Sequence, residues 1–248
     1  MSFTALVLAG SRGGGDPVAA YAGVADKALI EIGGATMLAR VVAALREAGA
    51  DRIAVSASSP AVADHAAALG AEPLAAAAGP SRSAAEGLAL LGAPMLLTTA
   101  DHALLRPEWV RAFLADLPPG TDIAALLARR EAIEAAVPET RRTYLRFADG
   151  DWSGCNLFHL ATPAAARALA LWQAVEADRK RPWRIVRRLG PAMLLAYLAR
   201  RLTLADAVAR LGARAGVRAA IVAAQDGRAA IDVDKPADLD LARRLLAR

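Results

Sequence analysis

The sequence predicts an α/β fold in which helices cover both faces of a mostly parallel β-sheet. Short apolar runs that are typical of buried strands alternate with segments whose apolar residues recur at helical spacing, and this alternation characterises parallel sheets. The first apolar run, residues 5–9, is ended by glycine. A chain of 248 residues with 56% hydrophobic content can also bury a large core without disulfides.

A glycine-rich loop follows the first predicted strand. Residues 10–15 read Gly-Ser-Arg-Gly-Gly-Gly, and Arg12 and Lys27 bring positive charge to the same place. Glycine lets the backbone approach a ligand closely and point successive N–H groups at an anion. The loop therefore predicts a phosphate-binding site, since the alternative, a flexible surface linker, does not normally follow a buried strand.

Two familiar phosphate-binding loops do not match this segment. Gly10 and Gly15 have the spacing of a P-loop, but Asp16 stands where that motif needs lysine and Pro17 where it needs serine or threonine. A dinucleotide-binding loop would require glycine at the positions of Arg12 and Val18. What remains is a strand, a glycine-rich loop, an arginine and a later lysine.

Strands and helices alternate after the loop. Thr36 is the predicted N-cap of a helix that Gly49 ends. The segments that follow are a strand at 52–57, a helix at 60–69, a small-residue stretch at 71–78, a helix at 83–91 and an apolar strand at 94–99.

Asp101 comes directly after the strand at 94–99. Ligands of open α/β sheets bind at the carboxyl ends of the strands, so Asp101 and Gly10 are expected to face one crevice. The alternative is that Asp101 caps the helix beginning near Pro107, but Asp101 lies six residues upstream of that proline, which is too far for the capping bond. The neighbouring His102 is weak evidence for a function.

The second half predicts a helix at 107–117, a strand at 122–128 and a hairpin around Asp149 and Gly150. Gly154 and Asn156 then precede an apolar strand, and a plain β-turn is the alternative interpretation of these two residues. A helix at 163–178, a strand at 217–223 and a terminal helix after Pro236 complete the prediction of one domain over residues 1–248.

Residues 164–216 interrupt the strand–helix rhythm with a helical insertion. A basic run at 179–188 is followed by an apolar stretch at 191–204, which is too short to span a bilayer. Two interpretations remain. The segment is either a cap or homodimer arm packed on the sheet, or a basic amphipathic hairpin in which residues 179–204 rest on an anionic membrane surface and bring the protein to a lipid-linked substrate.

Composition limits the partners and the compartment. The net charge of +5 and the pI near 10.0 are compatible with binding of phosphate-bearing small molecules. The low aromatic content of 4% argues against a surface that stacks on single-stranded nucleic acid. Cys155 is the single cysteine, which excludes an intramolecular disulfide. Because the chain enters a strand at once, without a signal-peptide pattern, a cytoplasmic protein is expected.

Two segments resemble the MobA-like nucleotidyltransferases. One is the opening strand and glycine-rich loop with Arg12 and Lys27. The other is the closing run Asp232-Val233-Asp234-Lys235-Pro236-Ala237-Asp238-Leu239, in which lysine replaces a usual threonine. The resemblance implies a three-layer Rossmann-like, GT-A-type fold with a helical insertion before the last strand. It also implies Mg²⁺-dependent transfer of a nucleoside monophosphate from a nucleoside triphosphate to a phosphorylated acceptor, with release of pyrophosphate.

The resemblance also implies a set of site residues. Arg12, Lys27 and Asp101 are the expected catalytic residues, and Asp101 and Asp232, with Asp234 beside them, the expected metal ligands. Gly154 and Asn156 are expected to contact the acceptor. The nucleotide contacts implied are Ala9, Gly10, Ser11, Gly13, Gly14 and Gly15 for the triphosphate, and Gly79, Ser81 and Ser83 for the base and ribose. Ser11 stands where a second glycine is usual, and the loop to Lys27 is longer than common.

Two other functions stay open. Asp232-Val233-Asp234 has the D-x-D form by which many sugar-nucleotide glycosyltransferases hold a metal, although in those enzymes the acidic pair normally follows a middle strand. A non-catalytic nucleotide-binding protein is the other alternative. The sequence leaves the base of the triphosphate and the acceptor open.

Overall fold

The computed structural model describes residues 3–10, 15–178 and 190–247. Its strands are β1 Phe3–Ala9, β2 Glu31–Ile32, β3 Ala35–Thr36, β4 Ala50–Ala57, β5 Glu72–Ala75, β6 Met95–Thr99, β7 Ile123–Arg129, β8 Leu145–Phe147, β9 Gly150–Leu160 and β10 Ala219–Ala223. Its α-helices are α1 Pro17–Ala22, α2 Met37–Ala48, α3 Pro60–Ala68, α4 Pro80–Leu91, α5 Pro107–Ala115, α6 Arg130–Ala136, α7 Ala165–Ala177, α8 Pro191–Leu198, α9 Leu204–Ala215 and α10 Pro236–Leu246. Short 3-10 turns lie at Lys27–Leu29 and Gly227–Ala230.

The main sheet has eight strands and is mostly parallel, which confirms the predicted fold class. Its order is β10-β7-β9-β6-β1-β4-β5, with β8 paired to β9, and β9 runs antiparallel to both of its neighbours β6 and β7. The chain moves from β1 outward to β4 and β5, then returns to place β6 on the other side of β1. The carboxyl ends of β1 and β6 therefore form the switch point at which such sheets bind ligands.

Helices pack on both faces of this sheet, as predicted. Along β1, Ala5 and Val7 belong to one buried cluster and Leu6 to another, because successive side chains of a strand point to opposite faces. The first cluster takes its helical residues mainly from α2, α5 and α10, and the second from α4 and α7. The result is the expected three-layer arrangement.

The predicted ends of α2 are confirmed. The Thr36 hydroxyl oxygen accepts the backbone N–H of Ala39 at 3.0 Å, and Gly49 ends the helix in the left-handed region with φ of 106°. A side-chain cap and a left-handed glycine satisfy the backbone groups that a helix leaves unpaired at its two ends.

Three boundary predictions are wrong. Helix α4 begins at Pro80 instead of residue 83, since proline is well suited to the first helical position. Gly154 and Asn156 lie inside β9, so neither a β-turn nor a segment preceding the strand describes them. The apolar stretch at 191–204 is not continuous: α8 ends at Leu198, and Thr203 caps a separate helix α9 by accepting the N–H of Asp206.

The helical insertion lies between β9 and β10 in the chain. Leu169 and Trp172 of α7 pack in the cluster that includes Leu88 of α4. Helix α8 leaves Leu195 and Leu198 exposed. The basic residues 179–188 lie outside the described residues, so membrane contact through 179–204 stays a prediction. In the described part of the chain, every helix falls short of the length and apolar character that a bilayer span requires.

Candidate active site

Lys27 joins three distant parts of the chain. Its ammonium group lies in the 3-10 turn Lys27–Leu29, donates to Asp101 Oδ2 at 2.6 Å and to the Val233 carbonyl at 3.1 Å, and is 3.5 Å from Asp234 Oδ1. Burial lowers the pKa of Lys27, but Asp101 and Asp234 raise this pKa by more, so the net shift is upward. Lys27 is therefore a fixed positive charge at neutral pH.

Asp101 is held from both sides. Thr99, at the end of β6, donates its hydroxyl to Asp101 Oδ1 at 2.5 Å, while Lys27 occupies the other carboxylate oxygen. The backbone carbonyl of Asp101 accepts the N–H of Val233 at 3.1 Å, which fixes the closing segment beside the end of β6. The capping alternative is wrong, because α5 begins at Pro107 with Arg106 as its N-cap.

Asp232 is the most buried of the three aspartates, with a side chain 8% exposed. It accepts hydrogen bonds from Arg142 and, at 2.6 Å, from the side-chain amide of Asn156. Arg142 was not predicted from the sequence, since an arginine in a loop carries no local signal of its partner. Asn156, which the sequence singled out, lies beside the three aspartates through its bond to Asp232.

A bulge in β9 places Asn156. Ala125 of β7 pairs with Phe158, but Leu127 pairs with Gly154, so β9 contains extra residues between these two pairs. Asn156 sits in that irregularity with φ of 49°, a left-handed conformation that asparagine tolerates better than most residues. Bulges commonly redirect a side chain in this way.

The donor set around Asp101, Asp232 and Asp234 fits Mg²⁺. Loss of solvent around the carboxyl group first, and then Asp232 and Asp101, raise the pKa of Asp234, so the other two aspartates repel it. They outnumber Lys27 and Arg142, the cations paired with them. In the part of the chain that the structure describes, no three acidic, histidine or cysteine residues group into a metal cage. Mg²⁺ usually binds one or two carboxylates together with phosphate oxygens and water, and needs no such cage.

The glycine-rich loop follows β1, which pairs with β6, the strand that precedes Asp101. Ala9 is buried at the end of β1, and a Cβ added to Gly10 would lie 3.7 Å from that of Ala76. Gly15 has φ of 87°. Ser11, Arg12, Gly13 and Gly14 lie outside the described residues, so their expected phosphate contacts stay predictions. Asp16, which excluded a P-loop, caps α1 by accepting the N–H groups of Val18 and Ala19.

The two serines expected to contact the base and ribose form hydrogen bonds with other residues of the protein. Ser81 and Ser83 are buried in the first turn of α4; Ser81 donates its hydroxyl to Glu176, and Ser83 Oγ accepts the N–H of Ala77 at 2.9 Å. A Cβ at Gly79 would lie 2.8 Å from Glu176 Oε1. A nucleotide contact by Ser81 or Ser83 stays a prediction. Glu176 of α7 was missed, because it lies far along the chain from Ser81 and follows no motif.

Gly154 stands apart from these hydrogen-bonded clusters. It is exposed, and a Cβ added there would meet nothing within 4 Å among the described residues. The open space on this side of β9 leaves its expected acceptor contact a prediction.

Comparison with known proteins gives one family and a set of similar folds. The family model described as the MobA-like NTP transferase domain matches residues 5–219. A hypothetical transferase from Thermus thermophilus is 31% identical with a TM-score of 0.83, over 96% of this chain and 100% of its own. Among curated proteins no significant match was found.

Two more distant structures have the same fold. A CMP:2-keto-3-deoxy-manno-octonic acid synthetase complexed with CTP is 19% identical with a TM-score of 0.59, over 99% of this chain and 98% of its own. A 2-C-methyl-D-erythritol 4-phosphate cytidylyltransferase, also from Thermus thermophilus, is 19% identical with a TM-score of 0.55, over 100% of both chains. At these identities the likeness is one of fold.

Proposed function

Because the chain belongs to the MobA-like NTP transferase family, we propose that it transfers a nucleoside monophosphate from a nucleoside triphosphate to a phosphorylated acceptor. The observation that carries this proposal is the meeting of Lys27, Asp101 and Asp234 at the switch point of the sheet. These residues come from the start, middle and end of the chain, and the glycine-rich loop begins next to them.

The reaction brings two anions together. An oxygen of the acceptor phosphate forms a bond to the α-phosphorus, the bond from that phosphorus to the bridging oxygen breaks, and pyrophosphate leaves with the electron pair. The attacking phosphate is already deprotonated near neutral pH, so no general base is needed. Most of the catalytic task is to position the groups and to stabilise negative charge.

Lys27 is suited to this task. Asp101 and the Val233 carbonyl hold its ammonium group in place before any substrate arrives, so the charge does not have to be reoriented during the reaction. The N–H groups of the glycine-rich loop and Arg12 would bind the triphosphate. Asn156 would orient the acceptor side of the site through its bond to Asp232.

Asp101 and Asp232, with Asp234 beside them, would hold Mg²⁺. When bound, Mg²⁺ supplies charge neutralisation and orientation of the phosphate oxygens. The excess of carboxylates over cations in this cluster supports a divalent cation there. The aspartates also hold Lys27 and Arg142, and these roles do not depend on the metal.

The acceptor is proposed as a phosphorylated small molecule or a lipid-linked phosphate. One of the similar structures holds CTP, and another is named a cytidylyltransferase that acts on a sugar-alcohol phosphate. CTP is therefore the first triphosphate to test, although the other three stay open.

The test is a two-stage screen of the full chain. Thermal shift with each of the four triphosphates, with and without Mg²⁺, identifies the nucleotide, because a ligand that binds only the folded state raises its apparent stability. Pyrophosphate release is then measured with phosphorylated acceptors. Turnover that requires the triphosphate, Mg²⁺ and a phosphorylated acceptor supports the proposal.

Two results would overturn it. Transfer from a nucleotide sugar without pyrophosphate would favour a glycosyltransferase, which the Asp232-Val233-Asp234 sequence also suits. Triphosphate binding without turnover for any phosphorylated acceptor, unchanged in Asp101→Ala, would indicate a non-catalytic binding protein.

A further inference from the structure

A pocket of about 300 Å³ lies between residues 139–141 and one side of α10, from its N-cap Lys235 to Arg244 in its last turn. Three cations line it: Arg141, Lys235 and Arg244. Thr140 adds a hydroxyl group, and Glu139 and Asp238 are the acidic residues of the lining. None of the three cations belongs to the group of residues expected from the sequence to form the active site.

Within the described chain, the three cations lack acidic partners. All are exposed, and none forms an ion pair with any residue in the ranges that the structure describes. Asp238 is already engaged, because it accepts the backbone N–H groups of Asp234 at 3.2 Å and of Lys235 at 2.9 Å. The pocket therefore carries positive charge that the described residues do not pair.

The neighbouring arginines behave differently. Arg142 is paired with Asp232, and Arg243 lies 3.6 Å from Asp240. Each is adjacent in sequence to a cation that lines the pocket. Arg141 and Arg244 therefore differ from their sequence neighbours Arg142 and Arg243, because neither has an acidic partner among the described residues.

The pocket adjoins the aspartate cluster in sequence at two points. Lys235 follows Asp234, and Arg141 precedes Arg142, which holds Asp232. Within the cluster the cations are occupied by carboxylates, whereas the cations of the pocket are available to an incoming anion.

We propose that this pocket binds a phosphate-class oxyanion. Arginine presents a planar fork of N–H donors that matches phosphate oxygens, and lysine adds a compact charge. This inference rests on the proposed function for the origin of the oxyanion, which is either the phosphoryl group of the acceptor or the departing pyrophosphate. Binding of the oxyanion itself can be measured without that function.

The first experiment titrates the full chain with inorganic phosphate and with pyrophosphate, following backbone amide shifts by NMR. We expect shifts in residues 139–141 and 235–244, and at least about tenfold weaker binding in Arg244→Gln, since a hydrogen bond to a charged group contributes about 1.5 kcal/mol or more and 1.4 kcal/mol is a factor of ten. Arg243→Gln is the matched control: it lies on the same helix, is paired with Asp240 and does not line the pocket.

Two results would overturn the proposal. One is the absence of shifts in these residues at millimolar phosphate and pyrophosphate. The other is equal binding by Arg244→Gln and Arg243→Gln, which would show that the pocket cations do not form the site. Both substitutions are on the surface, and circular dichroism verifies that each variant is folded.

The second experiment distinguishes the two origins of the oxyanion in the pyrophosphate-release assay. A higher KM for the acceptor in Arg244→Gln, with the KM for triphosphate unchanged, assigns the pocket to the acceptor. Weaker product inhibition by pyrophosphate, with the acceptor KM unchanged, assigns it to the product. If no triphosphate turns over while phosphate binding is still lost only in Arg244→Gln, the proposed function fails and the pocket stands.

Discussion

Lys27 is the residue on which the candidate site depends most. Its ammonium group touches Asp101, lies near Asp234 and binds the carbonyl of Val233 between the two closing aspartates. It therefore both supplies positive charge and holds the closing segment against the end of β6. Loss of Lys27 would leave carboxylates facing one another without their common partner.

We expect Lys27→Met to lower the rate of pyrophosphate release by about 10²–10³, the range typical of a donor that stabilises charge developing in the transition state. Arg52→Gln is the control, because Arg52 forms an exposed pair with Glu72, away from the site. A rate within about threefold of wild type for Lys27→Met would contradict the assigned role.

Asp234 permits a test by pH. Partial burial, Asp232 and Asp101 raise the pKa of its carboxyl group, so the folded state disfavours its negative charge. The stability contribution of this group therefore increases as pH falls through its folded pKa, and at neutral pH the charge is a cost. We expect Asp234→Asn to raise Tm slightly near neutral pH and to weaken the stabilisation by Mg²⁺ and triphosphate.

Differential scanning fluorimetry across pH checks both effects. The gain in Tm for Asp234→Asn should shrink as pH approaches the ordinary range of a carboxyl group, where wild-type Asp234 is itself protonated. A loss of stability at neutral pH would contradict the inferred repulsion.

At the scale of elements, two irregular segments form the site. The bulge in β9 turns Asn156 toward Asp232, and the 3-10 turn Gly227–Ala230 leads into the closing segment that carries Asp232. A Cβ added to Gly227 would overlap the backbone carbonyl of Ala132 in α6. The close approach of this turn to α6 thus helps to set where the aspartates lie.

We expect Gly227→Ala to lower the free energy of unfolding by about 1–3 kcal/mol, because the clash is with backbone and only a shift of α6 or the turn can relieve it. Urea unfolding measures this change. Gly154→Ala is the control for stability, since a Cβ there meets nothing within 4 Å among the described residues. A change below about 0.5 kcal/mol, within the range usual for surface substitutions, would contradict the close packing.

At the scale of the whole molecule, helix α7 of the insertion packs against α4, which carries the residues proposed to bind the base and ribose. Glu176 of α7 accepts from the hydroxyl of Ser81, and Gln173 donates to the Ser81 carbonyl at 3.4 Å. Helix α7 also packs on α4 through the buried cluster that holds Leu169 and Trp172. Hydrogen bonds thereby join α7 to the first turn of α4.

Cys155 reports on opening of the whole fold. Cys155 is 2% exposed, and burial raises the pKa of its thiol to about 12. In the native state a reagent therefore has little access to the sulfur, and the thiol is not in its reactive thiolate form. We expect a disulfide reagent to label the native chain slowly at mildly alkaline pH and the urea-unfolded chain at once. Fast labelling of one thiol in the native chain would contradict this burial.

The extent to which the sequence predicts the structure varies with the kind of signal. The parallel sheet and the caps of α2 follow from local patterns: apolar runs, Thr36 as an N-cap and Gly49 as a terminator. The apolar pattern places the start of α4 three residues late, because it does not detect the proline at which the helix begins. It places Asn156 before its strand, because it does not detect the bulge in β9. Neither case changes the order of the elements.

Local sequence patterns are enough to predict the alternation of strands and helices, the glycine-rich loop after β1, and Lys27, Asp101 and the closing aspartates as candidates. These depend on neighbours in the chain, on periodicity and on short motifs. Other features are visible only in the folded chain: Arg142 and Asn156 hold Asp232, Glu176 reaches Ser81, and Arg141, Lys235 and Arg244 line one pocket. These contacts join residues far apart in sequence. Strand order and helix packing set which partner a charged side chain meets, and a single sequence carries no local signal of that partner.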